Sequence, residues 1–383
     1  MMEVAWISII TSVLLILYTY LFYRWLLQIL PKKKQTWTSS NYPYSIAVLI
    51  AAYNEESVIH EKLTSVLNHI PKNVKLDIYV GSDASTDKTD DIVKALQEIY
   101  PNVFLERFAG RTGKASIINA LAKNKKHEIF ILTDANVLFT ESTISELLIP
   151  FQESKISMVC ANIVKIPKGK SSFEYIEKSY IDRENRIKKM ESDLWRIVIG
   201  AEGGCYAIRN MSFREVPRNF FMDDFFMTMQ VLERKESVVF QEKALCYEDI
   251  PIAPEEEFKR KKRISIGNFQ NLSRFKGLLL PNKGPIAIAF LSHKVLRWLS
   301  PFFLLCMLIC SGYISFFQME IFPIFFVQLM FLLSPLLSRL KLKIPIISAV
   351  IHFYSMNIAL FIGFFAYLKG VKSSVWEPTS RVS

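Results

Sequence analysis

Three groups of acidic residues in this 383-residue chain are of a type and placement that could bind or transform a phosphorylated ligand. Asp134-Ala135-Asn136 follows HEIFILT (127–133), an apolar run that reads as a strand. A carboxylate at a strand end can hold Mg²⁺ or Mn²⁺ through oxygen, leaving the ion's other positions to phosphate oxygens. The same pattern also describes an ordinary turn or helix cap. Asp83, in GSDASTD, could accept a hydrogen bond from a base N–H, or cap a helix. Asp223-Asp224 opens the run FFMTMQVL. Paired acids at a helix start are favoured by the helix dipole, and one of them could take a proton from an acceptor hydroxyl as a general base. Gly113-Lys114 puts a cation at a helix start, where it can meet a phosphate. It is not a P-loop, because the GxxxxGK[ST] spacing is absent and Ala115 follows the lysine. Gly203 and Gly204, in GAEGGCYAIRN, would let backbone approach a ligand closely, or simply turn the chain into a strand. Arg260 and Arg263, in RKKRISIGNFQ, belong either to a phosphate clamp or to a basic face turned toward solvent and lipid headgroups.

The elements that would carry these residues alternate between strand and helix. SIAVLIAA (45–52) is a short continuous apolar run, as a strand buried on both faces requires. Residues 55–70 have helical spacing, with Val58, Ile59, Leu63, Val66, Leu67 and Ile70 on one face. KLDIYVG (75–81) is the next strand, and Ser85, Thr86 and Asp87 supply start signals for a helix reaching Ile99. A strand at 103–106, a helix at 112–122, a strand at 127–133, a helix at 141–151 and a strand at 157–164 continue the alternation. Repeated βα units predict a mostly parallel sheet with helices on both sides. Ligands of such sheets bind where strands end and helices begin, which is where Asp83 and Asp134 fall.

The apolar excess of the chain, 51% hydrophobic residues, sits at its two ends. Residues 4–23, 299–317 and 321–338 carry no charged side chain, and 344–368 has only His352 as a group that titrates near neutral pH. A helix needs roughly 20 apolar residues to cross the hydrocarbon, so four spans are expected, the 18-residue third being the one that could instead be a buried core helix. Lys32, Lys33 and Lys34 follow the first apolar run instead of preceding it, which argues against a cleaved signal peptide. The formal charge of +11 gathers at the span ends: Lys32–Lys34, then Lys276, Lys283, Lys294 and Arg297, then Arg339, Lys341 and Lys343. By the positive-inside rule the central domain is cytoplasmic, although a tail with Lys369, Lys372 and Arg381 would then end outside, against the rule. Anionic headgroups explain the basic balance more simply than nucleic acid does. The five cysteines show no metal-ligand spacing and read as small buried residues. The expected organisation is an N-terminal span (1–30), an α/β domain (31–254), an amphipathic interface segment (255–298), C-terminal spans (299–368) and a tail (369–383).

Singly these signals are weak, but their order is specific. IAAYNEE, GSDASTD, GRTGKASIIN, TDAN, GAEGGCYAIRN, MDDFF and RxxRxxxGNFQ, in this sequence and over about two thirds of the chain, resemble family 2 glycosyltransferases. The resemblance is strongest to the membrane synthases of hyaluronan, chitin, cellulose and poly-N-acetylglucosamine. It implies a GT-A fold, a nucleotide-sugar donor and inversion at the anomeric carbon. Tyr53 and Glu55 would then lie at the nucleotide, Asp83 at the uracil, Lys114 near the donor, and Asp134 with Asn136 at the metal-diphosphate. Asp224 would be the catalytic base, and Arg263 would neutralise the leaving diphosphate. Gly203, Gly204, Asp223 and Arg260 would line the acceptor side.

Two positions depart from the family pattern. The usual DxD reads Asp134-Ala135-Asn136, and the usual QxxRW reads Arg260-Lys261-Lys262-Arg263-Ile264, without the Trp that helps to hold an acceptor sugar. The expected activity is therefore a Mg²⁺- or Mn²⁺-dependent transfer from a UDP-sugar to a growing polysaccharide or other membrane-associated acceptor, at the cytoplasmic face of the inner membrane. Polysaccharide-secretion subunits are candidate partners. The alternatives are a single-sugar transferase acting on a lipid or lipid-linked acceptor, and a non-catalytic polysaccharide-binding or export subunit. A transporter is disfavoured, because the spans carry almost no ionisable residues.

Overall fold

The structure, a computed structural model, describes residues 1–31, 37, 44–167, 172–249, 254–336 and 345–371. Lys32–Lys34, Arg339, Lys341, Lys343, Lys372 and Arg381, used above for orientation, lie outside these residues. The chain forms two compact units. One comprises Pro31–Lys168, Lys178–Ile252 and Val371–Ser383; the other comprises Met1–Leu30, Gly169–Glu177 and Ala253–Gly370.

The first unit is built on an eight-stranded sheet. Its strands are β1 (Ser45–Ala52), β2 (Lys75–Ser82), β3 (Val103–Arg107), β4 (Ile129–Thr133), β5 (Val137–Phe139), β6 (Ile156–Ile166), β7 (Cys205–Arg209) and β8 (Ser237–Asp249). The order across the sheet is β3-β2-β1-β4-β7-β6-β8-β5. The half read as βα repeats, β3-β2-β1-β4, is parallel throughout. β7 is antiparallel to both β4 and β6, β6 runs parallel to β8, and β5 is antiparallel to β8. All but the first residue of β1 is buried, so both faces of the sheet are covered there. The helices Ile59–Leu67 and Thr89–Ile99 contribute Ile59, Leu63, Val66, Val93 and Leu96 to the same core as Ile46, Val48 and Ile50. The helix Lys114–Ala122 packs on β1 and β2 so tightly that a Cβ at Gly81 would meet Ile117 at 2.2 Å.

One connection shapes the sheet. Only Asp134-Ala135-Asn136 separates β4 from β5, yet β5 lies four places away in the strand order. In a flat sheet four steps would span about 19 Å, whereas the four Cα steps from Thr133 to Val137 reach at most about 14 Å. The sheet must therefore curl until its β5 edge closes toward β4. The turn that spans this closure is the one singled out by its chemistry.

Several elements differ from the sequence reading. The helix expected over 55–70 begins only at Ile59, because the Glu55 carbonyl is held in a turn by the N–H groups of Val58 and Ile59. β5, the helix Ser172–Trp195 and the parallel β6–β8 pairing have no counterpart in that reading.

In the second unit, Met2–Ile29, Met319–Leu336 and Ile346–Leu368 are helices long and apolar enough to cross a membrane. The stretch 299–317, expected as a span, is a shorter helix, Ser300–Ser315, bent by 54° from Pro285–Trp298; the two together could make a broken span. The helix Pro254–Phe275, expected as an amphipathic interface segment, packs along Pro345–Leu368. Ser265 Oγ donates to the Leu360 carbonyl at 2.7 Å, and Phe269 stacks on Tyr367 and meets Phe364 edge-on. A Cβ at Gly363 would fall 2.4 Å from Ser265 Cβ, the close approach that small residues permit between helices.

Candidate active site

Two loops at the C-terminal ends of β1 and β2 lock together before any ligand is considered. Asn54 takes a positive φ of 53° after β1, and Ala84 one of 59° after β2. Asn54 Oδ1 accepts from the Thr86 N–H at 2.9 Å, the Glu55 N–H donates to Thr89 Oγ1 at 2.8 Å, and the Glu56 N–H donates to Asp87 Oδ2 at 3.0 Å. Glu55 is thereby buried at the base of this loop pair. Such saturation fixes the backbone on which Tyr53 stands.

Asp83 is fully buried and its carboxylate is enclosed. It accepts from the Thr112 N–H at 2.6 Å, Thr112 Oγ1 at 3.1 Å, the Gly113 N–H at 3.2 Å and Arg111 Nε at 3.0 Å. In this arrangement four protein donors already occupy the carboxylate that the sequence reading set against a base. Its bonds hold the 111–113 loop that leads into the helix of Lys114. Gly113, with φ of 87°, supplies the backbone conformation at that helix start. Arg111 lies 3.3 Å from the centroid of the Tyr53 ring, so the cation and the ring cover the same side of the loops.

Lys114, at the first position of its helix, reaches across to Asp134 Oδ1 at 2.6 Å and lies 3.8 Å from Asp223 Oδ2. Burial would lower its pKa, but the facing Asp134, Asp223 and Asp224 outweigh burial and hold the ammonium well above the usual lysine value. Asp223 and Asp224 occupy the first turn of the helix Asp223–Glu233, as their sequence predicts. Asp224 Oδ1 accepts the Phe225 N–H at 2.7 Å. Burial, and next the neighbouring Asp223 carboxylate, push Asp224 up to about 7, against the pull of Lys114 and the Phe225 N–H. Thr228, one turn on, donates to the Asp224 carbonyl at 2.7 Å and accepts from the Ala201 N–H at 3.0 Å, tying this helix to the 200–204 loop. There Gly203 leaves the gap the cluster needs, since a Cβ would sit 3.1 Å from Asp224 Oδ2 and 3.3 Å from Lys114 Nζ. A Cβ at Gly204 would strike Ile163 at 2.6 Å.

The turn Asp134-Ala135-Asn136 is held from several sides. The Asp134 N–H donates to the Gly204 carbonyl at 3.2 Å, and Asn136 Nδ2 donates to Glu248 Oε1 at 3.4 Å. Glu248 is paired with Lys165 at 2.6 Å. Among the described residues no set of three or more His, Cys, Asp and Glu is arranged to hold a metal alone. The Asp134 side chain is 36% exposed and now neutralised by a lysine ammonium. With the Asn136 amide beside it, this donor set suits Mg²⁺ or Mn²⁺ carried mainly by substrate phosphates.

Thus Lys114, Asp134, Asp223, Asp224 and Gly203 form one cluster, and Tyr53, Glu55 and Asp83 form the neighbouring loop pair. Arg260 and Arg263 belong to the helix Pro254–Phe275 of the second unit, where Arg260 donates to Glu257 Oε2 at 3.3 Å. Sequence reasoning overlooked Lys62, Arg111 and Glu248. Lys62 carried a signal: it lies four residues from both Val58 and Val66, on the apolar face of its helix.

Residues 47–216 match the profile described as Glycosyl transferase family 2. An uncharacterized glycosyltransferase of Mycoplasma genitalium is 29% identical over 103 residues, 26% of this chain and 35% of that protein. A beta-monoglucosyldiacylglycerol synthase of Nostoc is 28% identical over 34% of this chain and 28% of its own length. A dolichyl-phosphate beta-glucosyltransferase of Trichomonas vaginalis is 29% identical over 24% of this chain and 30% of its own length. The chain thus spans about a third of the length of these curated relatives. Among solved structures, a mannosyltransferase of Pyrobaculum calidifontis, in complex with GDP-Man and Mn²⁺, aligns over 94% of this chain and 99% of its own, with a TM-score of 0.71 at 18% identity. That likeness is one of fold: a GT-A-like sheet domain flanked at both ends by apolar helices. The match to glycosyl transferase family 2 thus covers residues 47–216, the stretch that carries Tyr53, Glu55, Asp83, Lys114, Asp134 and Gly203.

Proposed function

We propose that the protein transfers one sugar from a nucleoside-diphosphate sugar to a hydroxyl of a lipid or lipid-linked acceptor, with inversion at the anomeric carbon. The single observation that carries this reading is Asp224, a buried carboxylate poised at about 7 beside Asp223, Lys114 and Asp134. A base near neutrality serves a hydroxyl acceptor, which must lose a proton as it attacks; a phosphate acceptor is already ionised. The acceptor oxygen bonds to the anomeric carbon, the bond from that carbon to the diphosphate oxygen breaks, and the hydroxyl proton passes to Asp224. Lys114, paired with Asp134, is proposed to offset charge growing on the leaving diphosphate. Arg263 is proposed for the same task on its motif alone, and Tyr53 and Glu55 for the nucleotide side. Mg²⁺ or Mn²⁺ at Asp134 and Asn136 would supply further positive charge to the diphosphate.

A lipid-borne acceptor is favoured over a growing polysaccharide by two observations. Two of the relatives are named for lipids, a monoglucosyldiacylglycerol and a dolichyl phosphate; a hydroxyl acceptor fits the first and not the second. The Trp of the processive motif is replaced by Ile264. The apolar helices would place the domain at a membrane, on the cytoplasmic face if the basic residues follow the positive-inside rule. The test is nucleotide release by detergent-purified protein with a panel of UDP- and GDP-sugars, with Mn²⁺, Mg²⁺ or a chelator, in native lipid extract. Metal-dependent release with one donor and one sugar added to a lipid is expected. A ladder of products would assign polymer synthesis instead. No release from folded protein in native membranes would return the non-catalytic reading to the front.

A further inference from the structure

Lys62 is fully buried in the first unit, on the helix Ile59–Leu67, behind the turn that carries Asp134. Its ammonium donates to Thr133 Oγ1 at 2.9 Å and to the Val137 carbonyl, and lies 3.7 Å from the centroid of the Phe139 ring. Thr133 and Val137 are the two residues that bracket Asp134-Ala135-Asn136. Thr133 Oγ1 in turn donates to the Gly204 carbonyl at 2.8 Å, so the chain of bonds reaches the glycine pair beside Asp224. An apolar side chain could fill this volume without the cost of burying a charge, which is high for an ammonium. A lysine here is therefore unusual as core packing, and what it grips is the pair of strand ends spanning the sheet's closure. Burial lowers the ammonium toward about 8, partly offset by Cys205, Cys246 and Asp134.

We infer that Lys62 is a positioning residue for nucleoside-diphosphate binding: it clamps both ends of the Asp134–Asn136 turn and places a positive charge behind it. The inference rests on the transfer reading above. Lys62 touches no substrate from its buried position, so it acts through the geometry of the turn and through its field at the phosphates. Removing it should weaken donor binding more than it slows the committed step.

The experiment compares wild type with Lys62→Met, which keeps the length of the side chain, and Lys62→Gln, which can still donate to one of the two oxygens. Binding of UDP and GDP with Mn²⁺ is measured by calorimetry, donor KM and kcat by nucleotide release, and the folded fraction by thermal melting in the same detergent. The expected result is a roughly 10-fold rise in nucleotide Kd and donor KM for Lys62→Met, with kcat changed less and the protein folded at the assay temperature; Lys62→Gln should fall between. Wild-type binding matched by Lys62→Met overturns the inference alone. So does a loss in kcat at unchanged KM that follows the folded fraction, since that is a purely structural role. Failure of the wild type to bind either nucleotide overturns the transfer reading and the inference together.

Discussion

Asp83 and Asp224 are both buried acids of the same sheet unit, and they differ in what surrounds them. Around Asp83 both carboxylate oxygens are supplied with donors: two backbone N–H groups, a hydroxyl and a guanidinium. Around Asp224 one backbone N–H serves the side chain, another carboxylate stands next to it, and the facing cation is shared with Asp134 and Asp223. A carboxylate given donors on both oxygens holds a loop in place. One buried beside a like charge is pushed toward binding a proton, which is what a base must do.

If the contrast is right, the largest effect comes from Asp224→Asn. Transfer should fall by about 10²- to 10⁴-fold, the usual contribution of a general base. The melting temperature should hold or rise, because one member of a like-charged pair is gone. Full activity in the variant would place the base elsewhere. Asp83→Asn should do the reverse: it exchanges a carboxylate for an amide whose N–H₂ must face donors. A loss of about 2–3 kcal/mol of stability is expected, read as a lower melting temperature, with near-normal kcat in the protein that stays folded. A catalytic defect without destabilisation would make Asp83 a ligand contact.

Acidity sharpens the comparison. The base must be deprotonated, so activity should fall as pH drops through about 7. In Asp223→Asn the acidic limb should move to lower pH, because a neighbouring negative charge has been removed. Stability runs the other way. A carboxyl whose pKa is raised by folding stabilises the protein while protonated. That contribution is full below the unfolded value of about 4 and is lost as pH rises through about 7. Melting curves from pH 5 to 8 should therefore fall with pH in the wild type and be flatter in Asp224→Asn. The smallest effect is expected of Gly203→Ala. Its new methyl would press on Asp224 Oδ2 and Lys114 Nζ, both side-chain ends that can shift, so a several-fold loss of kcat with little change in melting is anticipated.

The sequence was most readable where local pattern and global fold agree. β1 and β4 are continuous apolar runs because both faces are covered, β2 alternates buried and partly exposed residues over its first half, and Asp223-Asp224 mark a helix start through the dipole alone. β5 was missed because three residues carry no periodicity and are held by β8, more than a hundred positions away. The helix Ser172–Trp195 was missed because its many charged residues blur the apolar stripe; Glu184, Lys188 and Glu191 are buried all the same. The cluster of acids was legible as a set, but the enclosure of Asp83 by residues 111–113 depends on a loop contact that no spacing encodes. Lys62 was hidden by its type, since a lysine on a helix is ordinarily read as solvated.

The three-residue link between β4 and β5 also has a bearing on when the site comes into being. Asp134 emerges from synthesis early, beside strands that can pair at once. Its turn, however, is completed only when Val137 pairs with Glu248 across the closed sheet. Contacts of such large sequence separation form late and slowly. Until β8 is made and docked, the nascent chain has the parallel half of the sheet but lacks the closure that shapes the turn. The finished shape of the Asp134–Asn136 turn is thus tied to the end of folding.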